Sequence, residues 1–198
     1  MKRLLLVILI IFSWKTVYSQ NPIYEGTEFY VAFMQNGLKD TPNGYQLSDL
    51  DIFISSLNST KVTIQPANEN PIEIDLPANV MYKMDVSSWY ELTTDDVENP
   101  INKSIYIKSD LPIVVYGVSG VPQTSDGFAA LPTSSWGTEY VIISMPNDHY
   151  YFYQDDPWKD FRQEIRRSEF MVVAMEDGTE IDFSPEAVTA LGKQTFRR

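Results

Sequence analysis

The sequence predicts an all-β protein of antiparallel, sandwich-like tandem units, the second incomplete, behind an N-terminal signal helix. Three observations carry this. Gly26-Thr27-Glu28-Phe29 recurs almost letter for letter as Gly137-Thr138-Glu139-Tyr140, and each copy opens an apolar run. Repeats of this kind mark a supersecondary unit used twice. Most apolar residues in between alternate with polar ones, the period of a half-buried strand. Helical spacing after the leader is confined to one short segment. Tandem β units can also be arranged radially, so propeller-like blades are the alternative architecture.

The first residues stand apart. Lys2 and Arg3 precede the apolar run Leu4–Phe12, and Val17 and Ser19 occupy the −3 and −1 positions of a cleavage site. This is a signal-peptide pattern, and nine apolar residues are too few to span a bilayer. The expected division is therefore a leader over 1–19, a first β unit over 20–136 and a second, truncated unit over 137–198.

Within the first unit, Phe29–Phe33 is apolar on both faces, which suits a doubly covered strand. The segment from Met34 to Ser48 holds Asn36-Gly37, Pro42 and Asn43-Gly44 and reads as a loop. Leu50, Ile52 and Ile54 alternate with polar neighbours, and Asn58–Thr60 turns the chain into Val62 and Ile64. Ile72, Ile74 and Leu76 then face inward, and Val80, Tyr82, Met84 and Val86 repeat the pattern after Pro77-Ala78-Asn79. Ser87–Asn102 is polar and acidic, a loop or short helix. Ser104–Lys108 and Ile113–Val118 read as two strands joined at Ser109-Asp110-Leu111-Pro112, because a proline cannot donate to a ladder. Val121–Tyr140 reads as a loop around the short apolar piece Phe128–Leu131.

The second copy offers Tyr140–Ser144 as a strand and Arg167–Phe183 as a strand, a short polar turn and a second strand, with an aromatic, charged insert over 146–168 between them. There Asp156 caps a short helix with Pro157 at its first position, and Trp158, Phe161 and Ile165 share one face. By position, Thr195–Arg198 begins the strand that matches Pro71–Leu76. The counterpart of the stretch from Ile74 to Trp136 is not in the sequence, so the chain is expected to be the N-terminal piece of a longer protein.

Composition narrows the function. The 198-residue chain carries a net charge of −12. Loss of the leader removes Lys2, Arg3 and Lys15, leaving 12 basic residues against 27 acidic ones and a charge of −15. Such an acidic surface argues against nucleic acid or an anionic membrane as partner. There is no cysteine, so neither disulfides nor a thiolate metal site or nucleophile is available. His149, the sole histidine, lies among aromatics with no nucleophile motif nearby, and a surface loop position is the default for it. The acidic pairs match no calcium-loop spacing, so no metal and no cofactor is expected, calcium in an acidic loop being the one option kept open. Paired carboxylates across a cleft would serve glycosidic hydrolysis, but sequence sets no such separation.

The recognition candidates are Tyr150, Tyr151, Tyr153 and Trp158 in the insert, whose aromatic faces suit a sugar ring or a protein partner. Asp126 in Ser125-Asp126-Gly127 joins them, in a stretch that reads first as a turn.

Several of these motifs, taken in order, resemble the N-terminal domain of IgGFc-binding proteins. They are Gly26–Phe29 with Val31-Ala32-Phe33, Ile105–Val118, Thr124–Thr133, Gly137–Tyr140, and Ser168-Glu169-Phe170 with Met175–Thr179. The resemblance runs from Gly26 to about Phe183. It implies a β-rich, adhesive, non-catalytic module, secreted or at the cell surface, with an extracellular protein or glycan as partner. It does not imply immunoglobulin binding, since no contacting residue maps onto these positions. A carbohydrate-binding or carbohydrate-processing module built on the insert is the alternative function.

Overall fold

The computed structural model describes residues 24–36, 48–93, 96, 99–121, 124–143, 148–150, 164–166, 169–183 and 196–197. Among them there is no α-helix, so the all-β class holds. The leader, the loop over 37–47 and the stretch of the insert expected to be helical before Glu164 lie outside the described residues.

Eleven strands are described: β1 (Gly26–Val31), β2 (Asp49–Ser55), β3 (Thr60–Pro66), β4 (Ile72–Leu76), β5 (Met81–Val86), β6 (Ile105–Val121), β7 (Thr124–Ala129), β8 (Asp148–Tyr150), β9 (Glu164–Arg166), β10 (Asp182–Phe183) and β11 (Phe196–Arg197). The first seven form one antiparallel sheet rather than two separate layers, because β6 is shared throughout. One flank of β6 carries β1 and then β7; the other carries β3 and then β2. β4 extends the sheet beyond β3, and β5 extends it beyond β2. The sheet curls around one core, nearly as a barrel. Phe29, Ile52, Ile54, Ile64, Ile105, Ile107 and Ile113 are buried in that core.

Two strands were expected where β6 is one. Its odd-numbered residues face the core at both ends, while Asp110, Leu111 and Pro112 between them are exposed. Pro112 is tolerated because it sits where β6 changes partners. β3 pairing stops at Ser109, β2 pairing starts at Val114, and β1 skips from Lys108 to Ile113. A missing N–H costs little in such a gap. Three hydroxyls serve the polar backbone there: Ser56 donates to the Pro112 carbonyl, Ser109 donates to the Leu111 carbonyl, and Thr60 accepts from the Leu111 amide.

The loop expected around Phe128 is also a strand. β7 runs antiparallel to β6, with Asp126 opposite Ser119 and Phe128 opposite Gly117, and the ladder continues through the Ala130 amide to the Val115 carbonyl. Ser125-Asp126-Gly127 is therefore extended, not a turn, and Gly127 has no positive φ. β7 ends where β1 begins. A Cβ on Gly26 would lie 2.3 Å from Cβ of Pro132, so only glycine admits this junction. The expected turn at Pro77-Ala78-Asn79 does form, with Asn79 in the left-handed region at φ 59°, a conformation asparagine tolerates.

The second copy behaves differently from the first. Tyr140–Ile143 repeats β1 in sequence but forms no strand, and the sole strand from Glu169 to Phe183 is β10. A strand needs a partner ladder, and among the described residues no counterpart of β6 pairs with this stretch. One register is nevertheless reproduced. Phe183 pairs with Phe196 and Asp182 with Arg197, as Ile64 pairs with Ile72 and Thr63 with Glu73. Ile165, expected on a helix face, lies in β9 and pairs with His149 of β8; a β-branched residue suits that setting.

Candidate interaction surface

The candidate site lies where β1, the segment after β5 and the β6–β7 hairpin meet. Ser87 starts a 3-10 turn over Ser88–Tyr90 by accepting the Trp89 amide on its hydroxyl. The chain emerging from that turn runs beside the end of β1: Phe33 and Glu91 form a parallel bridge, and the Leu92 amide donates to the Phe33 carbonyl at 2.8 Å. This carries the Glu91 side chain inward, to 1% exposure.

A buried carboxylate needs donors. Oε1 of Glu91 accepts from the Asn36 amide at 2.8 Å and from the Ser48 hydroxyl at 2.5 Å. Those two residues flank the segment 37–47, so one carboxylate oxygen ties both its ends to the barrel. The Asn36 side chain also donates to the Ser119 carbonyl at 2.8 Å, which links the cluster to β6. Oε2 of Glu91 and the Ser119 hydroxyl are buried without a partner among the described residues. The Ser48–Glu91 contact is not a nucleophile–base pair. Ser48 is 3% exposed, and no substrate could reach it without opening the fold.

Outside this cluster lies an aromatic and charged surface. Trp89 is 51% exposed, packs edge-on to Tyr90 at 4.9 Å, and has the Lys103 ammonium 5.6 Å from its ring. Lys103 donates to the Glu91 carbonyl and to Asp96 Oδ2, each at 3.0 Å. Burial raises the pKa of the Asp96 carboxyl, but the Thr93 amide and hydroxyl and the Lys103 ammonium outweigh it and hold that pKa below the ordinary carboxylate range. The Tyr90 hydroxyl donates to the Ala67 carbonyl and to Glu69, both at 2.8 Å. Burial, then the Glu69 carboxylate, push that phenol up to about 12. Across the hairpin, Phe128 meets Phe33 edge-on at 5.8 Å.

Of the residues singled out from sequence, Asp126 belongs to this neighbourhood. It is exposed on β7, opposite Ser119. Tyr150 is placed in β8; Tyr151, Tyr153 and Trp158 lie outside the described residues. Glu91, Ser48, Asn36, Trp89 and Lys103 were not foreseen. A signal did exist in Ser87, a helix-cap residue type ahead of an aromatic pair, but nothing in the sequence distinguishes Glu91 from the acids after it.

The fold and this surface define an all-β module that presents strand edges and aromatic side chains. Residues 126–197 match the family model described as IgGFc binding protein. That match bears out the family resemblance for a stretch beginning at Asp126 in β7 and ending in β11. A solved structure from Thermotoga maritima, described as Thermotoga maritima 1070, is similar at 17% identity with a TM-score of 0.28. The similarity covers 56% of this chain and 95% of that one. No curated protein matches. Among the described residues, no helix is long and apolar enough to cross a membrane, and no group of three or more metal-binding side chains is present.

Proposed function

We propose that the chain is an exported, non-catalytic interaction module of the IgGFc-binding type, working in adhesion within a larger secreted or cell-surface protein. The observation that carries this reading is the family match over residues 126–197. The matched stretch includes exposed Asp126 and the exposed apolar segment after Gly137, as a surface meant for a partner should. The signal-peptide pattern supports export, and the strong negative charge favours a partner with a basic or apolar face. In this reading the second β unit, over 137–198, is part of the same module, and the shared register of β3–β4 and β10–β11 supports it.

The partner class is tested by immobilising the full chain and measuring binding of an immunoglobulin Fc fragment, a panel of basic extracellular proteins and a glycan array. Saturable binding of a protein, weakened by Asp126→Lys, is the expected result. Binding confined to glycans, with a raised melting temperature in their presence, would replace this reading with the carbohydrate module. Exposed Trp89 is the specific observation favouring that second reading. Turnover of a glycan that disappears in Asp156→Ala would make the protein an enzyme.

A further inference from the structure

Tyr140–Ile143 is the longest unbroken run of exposed apolar side chains among the described residues, with Val141 at 92% and Ile143 at 93% exposure. Contiguous apolar surface of this kind is uncommon on a solitary soluble chain. Its sequence also says how it would be covered. Gly137–Ile143 repeats β1, and β1 lies antiparallel on β6 with Glu28 opposite Lys108, Phe29 opposite Ile107, Tyr30 opposite Tyr106 and Val31 opposite Ile105. Glu28 reaches Lys108 at 2.9 Å. A partner strand for the repeat should therefore present, in chain order, an apolar residue, a spacer, an apolar residue and a cation.

In the seven-stranded sheet, four strands have a single partner and so an open edge: β1, β4, β5 and β7. Three of them meet Glu139 with like charge, through Glu28 on β1, Glu73 and Asp75 on β4, and Asp126 on β7. The edge of β5 alone offers the required order, as Val80-Met81-Tyr82-Lys83. With Glu139 opposite Lys83, Tyr140 falls opposite Tyr82, Val141 opposite Met81 and Ile142 opposite Val80. The faces agree as well. Tyr82 points to the core and is half-buried there, while Met81 and Lys83 are exposed on the outer face. Lys83 already holds Asp51 at 2.9 Å and Asp85 at 2.8 Å. Its side chain remains 48% exposed, and an ammonium has three donors.

We propose that Gly137–Ile143 docks as an added antiparallel strand on the open edge of β5 in a second copy of this chain, reciprocally, giving a two-fold dimer. Along the sheet, three strand-to-strand steps separate β1, where the segment is tethered, from its own β5. Trp136 is anchored against Tyr30 of β1, ring centroids 6.0 Å apart, and β5 lies on the opposite flank of β6, beyond β2. Only Gly137 and Thr138 separate Trp136 from Glu139, roughly 10 Å of extended chain. Docking would give the apolar run a ladder and close the β5 edge in each copy.

The test uses the full chain, which has no cysteine. Light scattering over a dilution series should give twice the 22.7 kDa chain mass at high concentration. Val141→Cys combined with Met81→Cys should form a disulfide-linked dimer on oxidation, because directly opposed strand residues meet the distance requirement. Val141→Cys with Asp85→Cys, out of register, should not. Glu139→Lys, an exposed change facing Lys83, should weaken the dimer at least tenfold while leaving the melting temperature of the monomer unchanged. A single-chain mass at every concentration would overturn the proposal. So would a disulfide closing within one chain, or equal cross-linking by the out-of-register pair.

Discussion

The ring of Phe128 occupies the space that a side chain at Gly117 would need: a Cβ built there lies 2.3 Å from Cζ of Phe128. The two residues are directly paired across β6 and β7, so the aromatic covers the glycine of its partner strand. Gly117→Ala must displace the ring and with it the Phe33 contact. The expected loss is about 1–3 kcal/mol, read as a lower urea midpoint with unchanged slope. Adding Phe128→Leu should recover part of the loss, and strictly additive effects in the double variant would show that the ring is not what the glycine accommodates.

Glu91 is the acceptor that holds Asn36 and Ser48. Glu91→Ala removes the acceptor of the buried Ser48 hydroxyl and of the Asn36 amide and should cost about 2–4 kcal/mol. Glu91→Gln keeps an acceptor oxygen and should cost less than half as much. Hydrogen exchange provides a second readout, since the Asn36 amide should lose protection in the alanine variant first. An Asn36 amide as slow as in the parent would mean that Glu91 does not anchor this end of the barrel.

Stability at high pH depends on Tyr90. An unfolded tyrosine titrates near about 10, whereas the folded value is about 12. The folded state therefore keeps the proton more tightly. The stability from this hydroxyl is complete below about pH 10 and is lost as pH rises through about 12. Tyr90→Phe should be less stable at neutral pH by roughly 1–2 kcal/mol and should decline less steeply between those values. Parallel decline of parent and variant would exclude Tyr90 as the source.

Pro112 and Ile107 lie on the same strand and should respond in opposite ways. Pro112→Ala adds an N–H in the gap of the ladder, so the change should stay within about 1 kcal/mol. Ile107 is fully buried and paired with Phe29 on one side and Ile64 on the other. Ile107→Ala should cost about 2–5 kcal/mol. Comparable losses from both would mean that β6 has no break at Pro112.

The strands whose alternation is uninterrupted were legible in sequence. Asp49–Ser55 is the clearest, since Leu50, Ile52 and Ile54 are all buried as the period demands. The continuity of β6 was not legible, because a proline normally ends a ladder and its harmlessness here depends on where β3 stops and β2 starts. β7 was hidden for a related reason: Ser125-Asp126-Gly127 has turn composition, and only pairing with β6 holds it extended. Tyr140–Ile143 erred the other way, with strand composition but no ladder beside it among the described residues. The buried role of Glu91 follows from the bridge to Phe33, a contact between distant segments that local patterning does not encode. The surface around Trp89 was missed with it.

The position of β6 in the chain order has a consequence for how the molecule is made. β1, β2 and β3 are synthesised before the strand on which all three depend, and β1 can find its partner only after Lys108 and Ile105 have emerged. Until then the early strands have little to pair with beyond the local β3–β4 hairpin and the β2–β5 pair. Such non-local pairing makes folding slow. A nascent chain of this design stays open until β6 appears and then closes late, so most of its length is synthesised before its core can form.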